Sequence, residues 1–334
     1  MAQDMMRAAL LVGKQDLQVL ARPVPVPSDN QIVVRVLACG VCPTDLRKFN
    51  TLDGGRLELP MNLGHEYVGE VTGLGTDVRG LRLGQRVLGE GYAGYADYAL
   101  IDLDSPQSVH RPEPLLIPQA ISDGEATFTE PLADCVHAIR DRAAVEPGES
   151  VLIIGGGTMG QLLAMVANQA GARVMLSEPH AGRRATAERF GAQAIDPADE
   201  NVADGVRRLN DGKLAQVVVL TIGIGGLIQP ALEALEVRGR LVLFGGFPRP
   251  ASAVMDPNVI HYRELTITGS EWAGAPPFWD GGLFRQALQL IESGRVPVAE
   301  LISGSYELAQ IRQAFAQAAL MANFKIVVLP ATKA

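Results

Sequence analysis

Four side chains stand out for the chemistry they could perform together: Cys42, His65, Glu66 and Glu130. A soft sulfur, an imidazole and two carboxylates are ligand types of a catalytic zinc, which keeps one position open for water or substrate. They occur in Cys42-Pro43-Thr44-Asp45, Gly64-His65-Glu66 and Thr129-Glu130-Pro131-Leu132, all ahead of a glycine-rich run that follows Val151-Leu152-Ile153-Ile154. A metal paired with a dinucleotide is equipment for moving hydride.

The glycine run is Gly155-Gly156-Gly157-Thr158-Met159-Gly160. A lone G-x-G-x-x-G says little, but here it closes an apolar strand and opens a helix, the context that gives it meaning. The glycines serve a tight turn, close approach of backbone to a pyrophosphate, and packing of helix on strand. Free N–H groups at the helix start favour an anion. Glu178 ends the next strand, where an acid would bond ribose hydroxyls and repel a 2′-phosphate, so NAD is expected over NADP. Ser177, Arg183 and Arg184 lie close in sequence and could hold such a phosphate. The expected cofactor set is Gly155, Gly157, Thr158, Met159, Gly160, Glu178, Thr221 and Phe244.

These residues need two kinds of scaffold. The first third has short apolar segments between turn signals: strands over 32–37, 67–74, 87–88 and 95–101, which suit an irregular β-barrel. From about residue 130 the texture changes. Strands at 151–154, 173–176, 217–220, 241–244 and 265–268 alternate with helices at 161–169, 181–190 and 227–235, a pattern that predicts a doubly wound parallel sheet and an α/β fold class. A tail follows, with helices near 283–291 and 308–320 and a strand over 325–329. Trp272, Phe278 and Trp279 fall in the loop before it and could wall a substrate cleft, cover a subunit interface, or simply pack.

Composition narrows the function classes. A net charge of −8 leaves no basic surplus for phosphate backbones or anionic membranes, so neither nucleic acid nor membrane is expected as partner. Three cysteines make no disulfide framework, and the N-terminus carries no signal-peptide pattern, so a cytoplasmic location is expected. Cys39-Gly40-Val41-Cys42 has redox-pair spacing but lacks the thioredoxin-like context, so Cys39 and Cys135 read as packing residues.

Cys42-x-Thr44-Asp45, Gly64-His65-Glu66, Glu130-Pro131-Leu132 and the glycine loop, in that order, resemble the zinc-dependent medium-chain alcohol dehydrogenases. The stretches 258–264 and 325–328 also resemble that family, so the likeness covers nearly the whole chain. It implies a GroES-like catalytic domain over 1–132 and 270–334 flanking a Rossmann dinucleotide-binding domain over 133–269. It implies zinc on Cys42 and His65, with Glu66 either a ligand or a partner behind the ligands. Glu130 stands where many relatives have a third ligand cysteine, which is similar to the sorbitol and polyol dehydrogenase branch, where such a glutamate can hold zinc-bound water. Relatives often carry a four-cysteine lobe for a structural zinc. Here Glu90 runs straight into Gly91-Tyr92-Ala93-Gly94-Tyr95, so one catalytic zinc and no structural zinc is expected. A homo-oligomer, dimer or tetramer, is expected as well.

The resemblance implies oxidation of a secondary alcohol, a polyol, sugar or cyclitol, by NAD. Thr44 takes the hydroxyl proton, Asp45 orients a ligating imidazole, and Glu66 completes the catalytic set. Thr44 also suits a helix N-cap. Relatives continue the proton relay through a histidine where Arg47 and Lys48 stand here. Asp134 reads either as a contact to a polar substrate or as an acid at a helix start. The alternatives are an NADPH-dependent ketone or aldehyde reductase, and a dinucleotide-binding protein without catalysis.

Overall fold

Strand Ser150–Ile154 is buried along its whole length, which is how a strand reads when helices cover both faces of a sheet. In the computed structural model, which describes residues 4–106, 108–248, 251–271 and 281–330, it sits inside a six-stranded parallel sheet. The order is Gln193–Ile195, Arg173–Ser177, Ser150–Ile154, Ala215–Leu220, Leu235–Leu243, Thr266–Gly269. Counted in chain order within this sheet, that is the 3-2-1-4-5-6 arrangement of a dinucleotide-binding fold. The chain divides into two compact units, and this sheet belongs to Leu132–Trp272.

Helix Thr158–Gln169 leaves the first strand directly after the glycine run, with Gly157 as its N-cap. Helices Ala181–Arg189 and Val202–Leu209 follow in alternation with strands; the second is not among the expected helices, although Val202, Val206 and Leu209 recur at helical spacing behind Asn201 as N-cap. One expected helix is shorter than its apolar run. A 3₁₀ turn at Gly225–Leu227 leads into Ile228–Glu233, and Leu235 already opens a strand that runs to Leu243. Pairing of Leu235 with Ala215 recruits those residues to the sheet, a long-range contact that a local apolar count cannot separate from one more helical turn.

The other unit, Met1–Pro131 with Ala273–Ala334, is built mainly on antiparallel strands, with Ile302–Glu307 and Lys325–Leu329 paired in parallel. Met5–Gly13 pairs with Asp16–Pro23 and with Met61–Asn62. A second sheet runs Ile302–Glu307, Lys325–Leu329, Gln31–Gly40, Glu66–Leu74, Arg86–Leu88, and Tyr98–Asp102 also pairs with Gln31–Gly40. The tail belongs here because Leu308, Ile311, Phe315, Ile326 and Val328 share one buried cluster with Ile32, Val34 and Tyr67. Among the described residues no helix is long and apolar enough to cross a membrane. Trp272, Phe278 and Trp279 lie outside the described residues.

Candidate active site

The metal-type residues come from three backbone devices of the antiparallel unit. Helix Pro43–Gly55 begins with proline at its first position, where the missing N–H costs nothing. Its N-cap is Cys42, and Asp45 accepts from the Cys42 N–H at 3.2 Å. Thr44 is therefore the second residue of the helix and not its cap. Gly64, at φ +81, turns the chain so that His65 and then the strand Glu66–Leu74 follow. A side chain at Gly64 would be strained at that φ, and its Cβ would stand 2.8 Å from Cys39 Sγ. The register then pairs Gly40 with Glu66 on one side and with Val327 on the other.

These devices bring Cys42, His65 and Glu66 together, with one ligand atom of each within 4.8 Å of the others. Glu130, in helix Thr129–Val136, is not a member of that set. Of the four expected metal residues, the fold converges three. Glu130 still feels the cluster: burial pushes its carboxyl up, and the positive His65 pulls against that.

Asp45 anchors the arrangement. Fully buried, it accepts from Gly64 N–H at 3.2 Å, from the Tyr95 hydroxyl at 2.8 Å and from Cys42 N–H. Burial opposes its charge, yet His65 and the Tyr95 hydroxyl outweigh this and hold the carboxyl below its ordinary range. Its Oδ1 faces His65 Nδ1 at 3.6 Å, beyond hydrogen-bond range, so Nδ1 is buried without a partner. Asp45 occupies the Nδ1 side of the ring, which leaves Nε2 as the donor for an ion.

The charge balance fits a metal. Burial pushes the Cys42 thiol up, Glu66 adds to this, and His65 works against it. Burial also disfavours the His65 cation, but Asp45 and Cys42 win and hold it protonated far above its ordinary range. A cluster of acids that pulls so strongly for positive charge is one that a divalent ion satisfies, and sulfur, nitrogen and oxygen donors suit zinc.

Lys325 is a residue at this site that sequence reasoning did not single out. Its ammonium pairs with Glu66 Oε2, and both side chains are 1–2 % exposed. It also lies 5.6 Å over the Phe128 ring. Gly40 makes room for the pair, because a Cβ there would stand 2.5 Å from Glu66 Oε2 and 3.1 Å from Lys325 Cδ. The available signal was a lysine opening an otherwise apolar strand, Lys325–Leu329.

The parallel-sheet unit has its own site. Gly155 adopts φ +102, where L side chains are strained, and a Cβ at Gly160 would lie 1.9 Å from the Gly155 carbonyl oxygen. At Gly157 the nearest atom to such a Cβ is Arg183 Nη1, 3.8 Å away, so the protein leaves open the space where a pyrophosphate would lie. Glu178 is buried at the end of its strand and accepts from Gly156 N–H at 2.7 Å and His180 N–H at 2.9 Å. Arg184 is committed to the Glu178 and Pro179 carbonyls and to Asp196 at 2.5 Å, while Arg183 faces Glu178 at 3.9 Å. Thr221 donates to the Ile154 carbonyl at 2.9 Å, and Phe244 N–H donates to Leu220, so both sit at carboxyl ends of the central strands. Thr158 and Met159 form the first turn of the helix. Asp134 is past the first turn of Thr129–Val136, which removes the helix-start reading. Cys39 and Cys135 are buried free thiols.

Comparison with known proteins identifies the family. The alcohol dehydrogenase GroES-like domain profile matches residues 28–105, and the zinc-binding dehydrogenase profile matches 158–293. The chain is 27% identical over 336 residues to 2-dehydro-3-deoxy-L-galactonate 5-dehydrogenase of Pseudoalteromonas atlantica, covering 93% of this chain and 94% of that one. It is 27% identical to sorbitol dehydrogenase of Halalkalibacterium halodurans, covering 91% and 92%. A zinc-binding dehydrogenase of Sinorhizobium meliloti, solved with NADP, superposes with a TM-score of 0.86 at 26% identity, covering 98% of this chain and all of that one. With a thiol, an imidazole and a carboxylate converging in one unit and a dinucleotide loop in the other, the chain belongs to the zinc-dependent medium-chain dehydrogenases, on their sorbitol and polyol side.

Proposed function

We propose that this enzyme oxidises a secondary alcohol of a polyhydroxy substrate with NAD, giving a ketone. The observation that carries the reading is the closure of Cys42, His65 and Glu66 to within 4.8 Å. Those three would hold one zinc, which supplies Lewis acidity that lowers the pKa of the substrate hydroxyl. Thr44 follows Cys42 by two residues, is part-buried, and its hydroxyl has no protein partner among the described residues, so it is open to accept the hydroxyl proton. Asp45 keeps the His65 ring in place through its own three backbone and tyrosine contacts. Lys325 holds Glu66 from behind. Glu130 orients water or substrate from outside the ligand set. A nicotinamide held by the glycine-loop unit would supply the acceptor for the hydride on the alcohol carbon.

NAD is the coenzyme of this proposal. A buried acid at Glu178 disfavours a 2′-phosphate, and the arginine best placed to accept one, Arg184, is already engaged. The proposal includes no structural zinc, a cytoplasmic location and a homo-oligomer; Thr266–Gly269 is an edge strand of the parallel sheet, a kind of edge that another chain could pair. The test is direct. Elemental analysis should find about one zinc per chain, and NADH absorbance should rise with polyols. Cys42→Ala and His65→Ala should lose zinc and turnover and still bind NAD. Unchanged turnover in protein shown to be metal-free would overturn the proposal.

A further inference from the structure

Lys48 is a buried cation on the helix that carries Thr44 and Asp45, and it has no protein counter-charge among the described residues. It follows Thr44 by one helical turn, so both lie on one face of Pro43–Gly55. It is only 8% exposed. Its Nζ sits 3.4 Å from the centroid of the Tyr92 ring, and that ring stands edge-on to His65 with centroids 5.0 Å apart. Asp45 is committed to Cys42, Gly64 and Tyr95, Glu66 to Lys325, and Arg47 to Asp53 at 3.0 Å.

A buried ammonium normally requires an anionic or hydrogen-bonding partner. The aromatic face supplies part of that stabilisation, but it satisfies none of the three N–H donors. Tyr92 acts as a platform that holds the ammonium on the His65 side of the helix. The two legs, 3.4 Å from ammonium to ring and 5.0 Å from ring to imidazole, link Lys48 to His65 through the single Tyr92 ring.

We propose that Lys48 receives a carboxylate carried by the substrate, so that the preferred substrate is an aldonate and not a neutral alditol. The proposal rests on the polyol-oxidising function above and specifies its substrate class. A single ammonium matches a monoanionic carboxylate. A phosphate dianion commonly gathers several donors, and the adjacent Arg47 is already tied to Asp53.

The test uses the zinc-loaded full-length enzyme with NAD and a panel of hexonates, hexitols of matching configuration and hexitol phosphates. Wild-type kcat/KM should favour a hexonate over its hexitol. Lys48→Gln should shrink that ratio by about 10- to 100-fold, the range for losing a charge-assisted hydrogen bond, and Lys48→Arg should retain most of it. Calorimetric titration of the same hexonate should weaken in parallel. In the unmutated protein, KM for the hexonate should rise with ionic strength while KM for the hexitol stays level, which needs no variant to fold. Equal losses on hexonate and hexitol, or a loss expressed in KM for NAD, would overturn the assignment. A preference for hexitol phosphates would overturn the carboxylate. If hexitols are oxidised as well as hexonates, this inference fails and the polyol function stands; if none of the panel is oxidised, the polyol function itself fails.

Discussion

Lys325→Met separates a buried pair whose members are both 1–2 % exposed. Methionine has nearly the same length and fills the volume, so the perturbation is electrical. The Glu66 carboxylate then faces a pocket closed by Gly40 and the Phe128 ring, without its cation. Breaking one side of a buried ion pair costs about 3–5 kcal/mol, a large share of the roughly 5–15 kcal/mol that holds a typical domain. The metal-free variant should therefore show a clearly lower denaturation midpoint when unfolding is followed by tyrosine fluorescence. Zinc offsets part of the loss, because an ion on Glu66 replaces the missing charge and binds only the folded state. The gap between parent and variant should thus be smaller with zinc than without. Adding Glu66→Gln to Lys325→Met should recover much of the metal-free stability, since the orphaned charge is gone. The reasoning is refuted if the metal-free single variant unfolds within about 0.5 kcal/mol of the parent, the range of an ordinary surface substitution.

Gly160→Ala should abolish NAD binding, read by fluorescence titration, because its Cβ would sit 1.9 Å from a backbone oxygen that cannot step aside. Glu178→Ala should narrow the ratio of NAD to NADP affinity, and an unchanged ratio would remove that residue from coenzyme choice. Burial pushes the Glu90 carboxyl up to about 7, from 4.5 in the open chain, even though Ser108 Oγ–H and Val109 N–H donate to it. A raised carboxylate pKa means that folding favours the protonated form: the stability it contributes is whole below the unfolded value and is lost as pH climbs through 7. Glu90→Gln keeps an oxygen acceptor, so it should stabilise the protein at pH 8 by about 1–3 kcal/mol and make little difference at pH 4. Urea midpoints across that range measure it, and a pH-independent gap would contradict the burial account.

Much of this molecule was legible in one dimension because its signals are local. The run from Val151 to Gly160 contains strand, turn and helix start within ten neighbours, and backbone sterics at Gly155 and Gly160 act there without help from elsewhere. Most of the parallel sheet was readable for the same reason, since its longer strands and helices announce themselves by their own apolar period, whereas the short strand Gln193–Ile195 and the helix Val202–Leu209 were not among the expected elements. Cys42, His65 and Glu66 were recognisable as ligand types, and the chain order of the motifs carried the family. Tertiary structure decided which of the carboxylates joined them. Glu66 enters the set because strand register places it beside Gly40, whereas Glu130 rides on a helix that leaves it outside. Lys325 reaches Glu66 across 259 residues, and Lys48 finds Tyr92 through a loop fold. No window along the chain contains either pair. Charge type is written residue by residue, but a counter-charge is a matter of distance, and distance between remote residues exists only once the strands have paired.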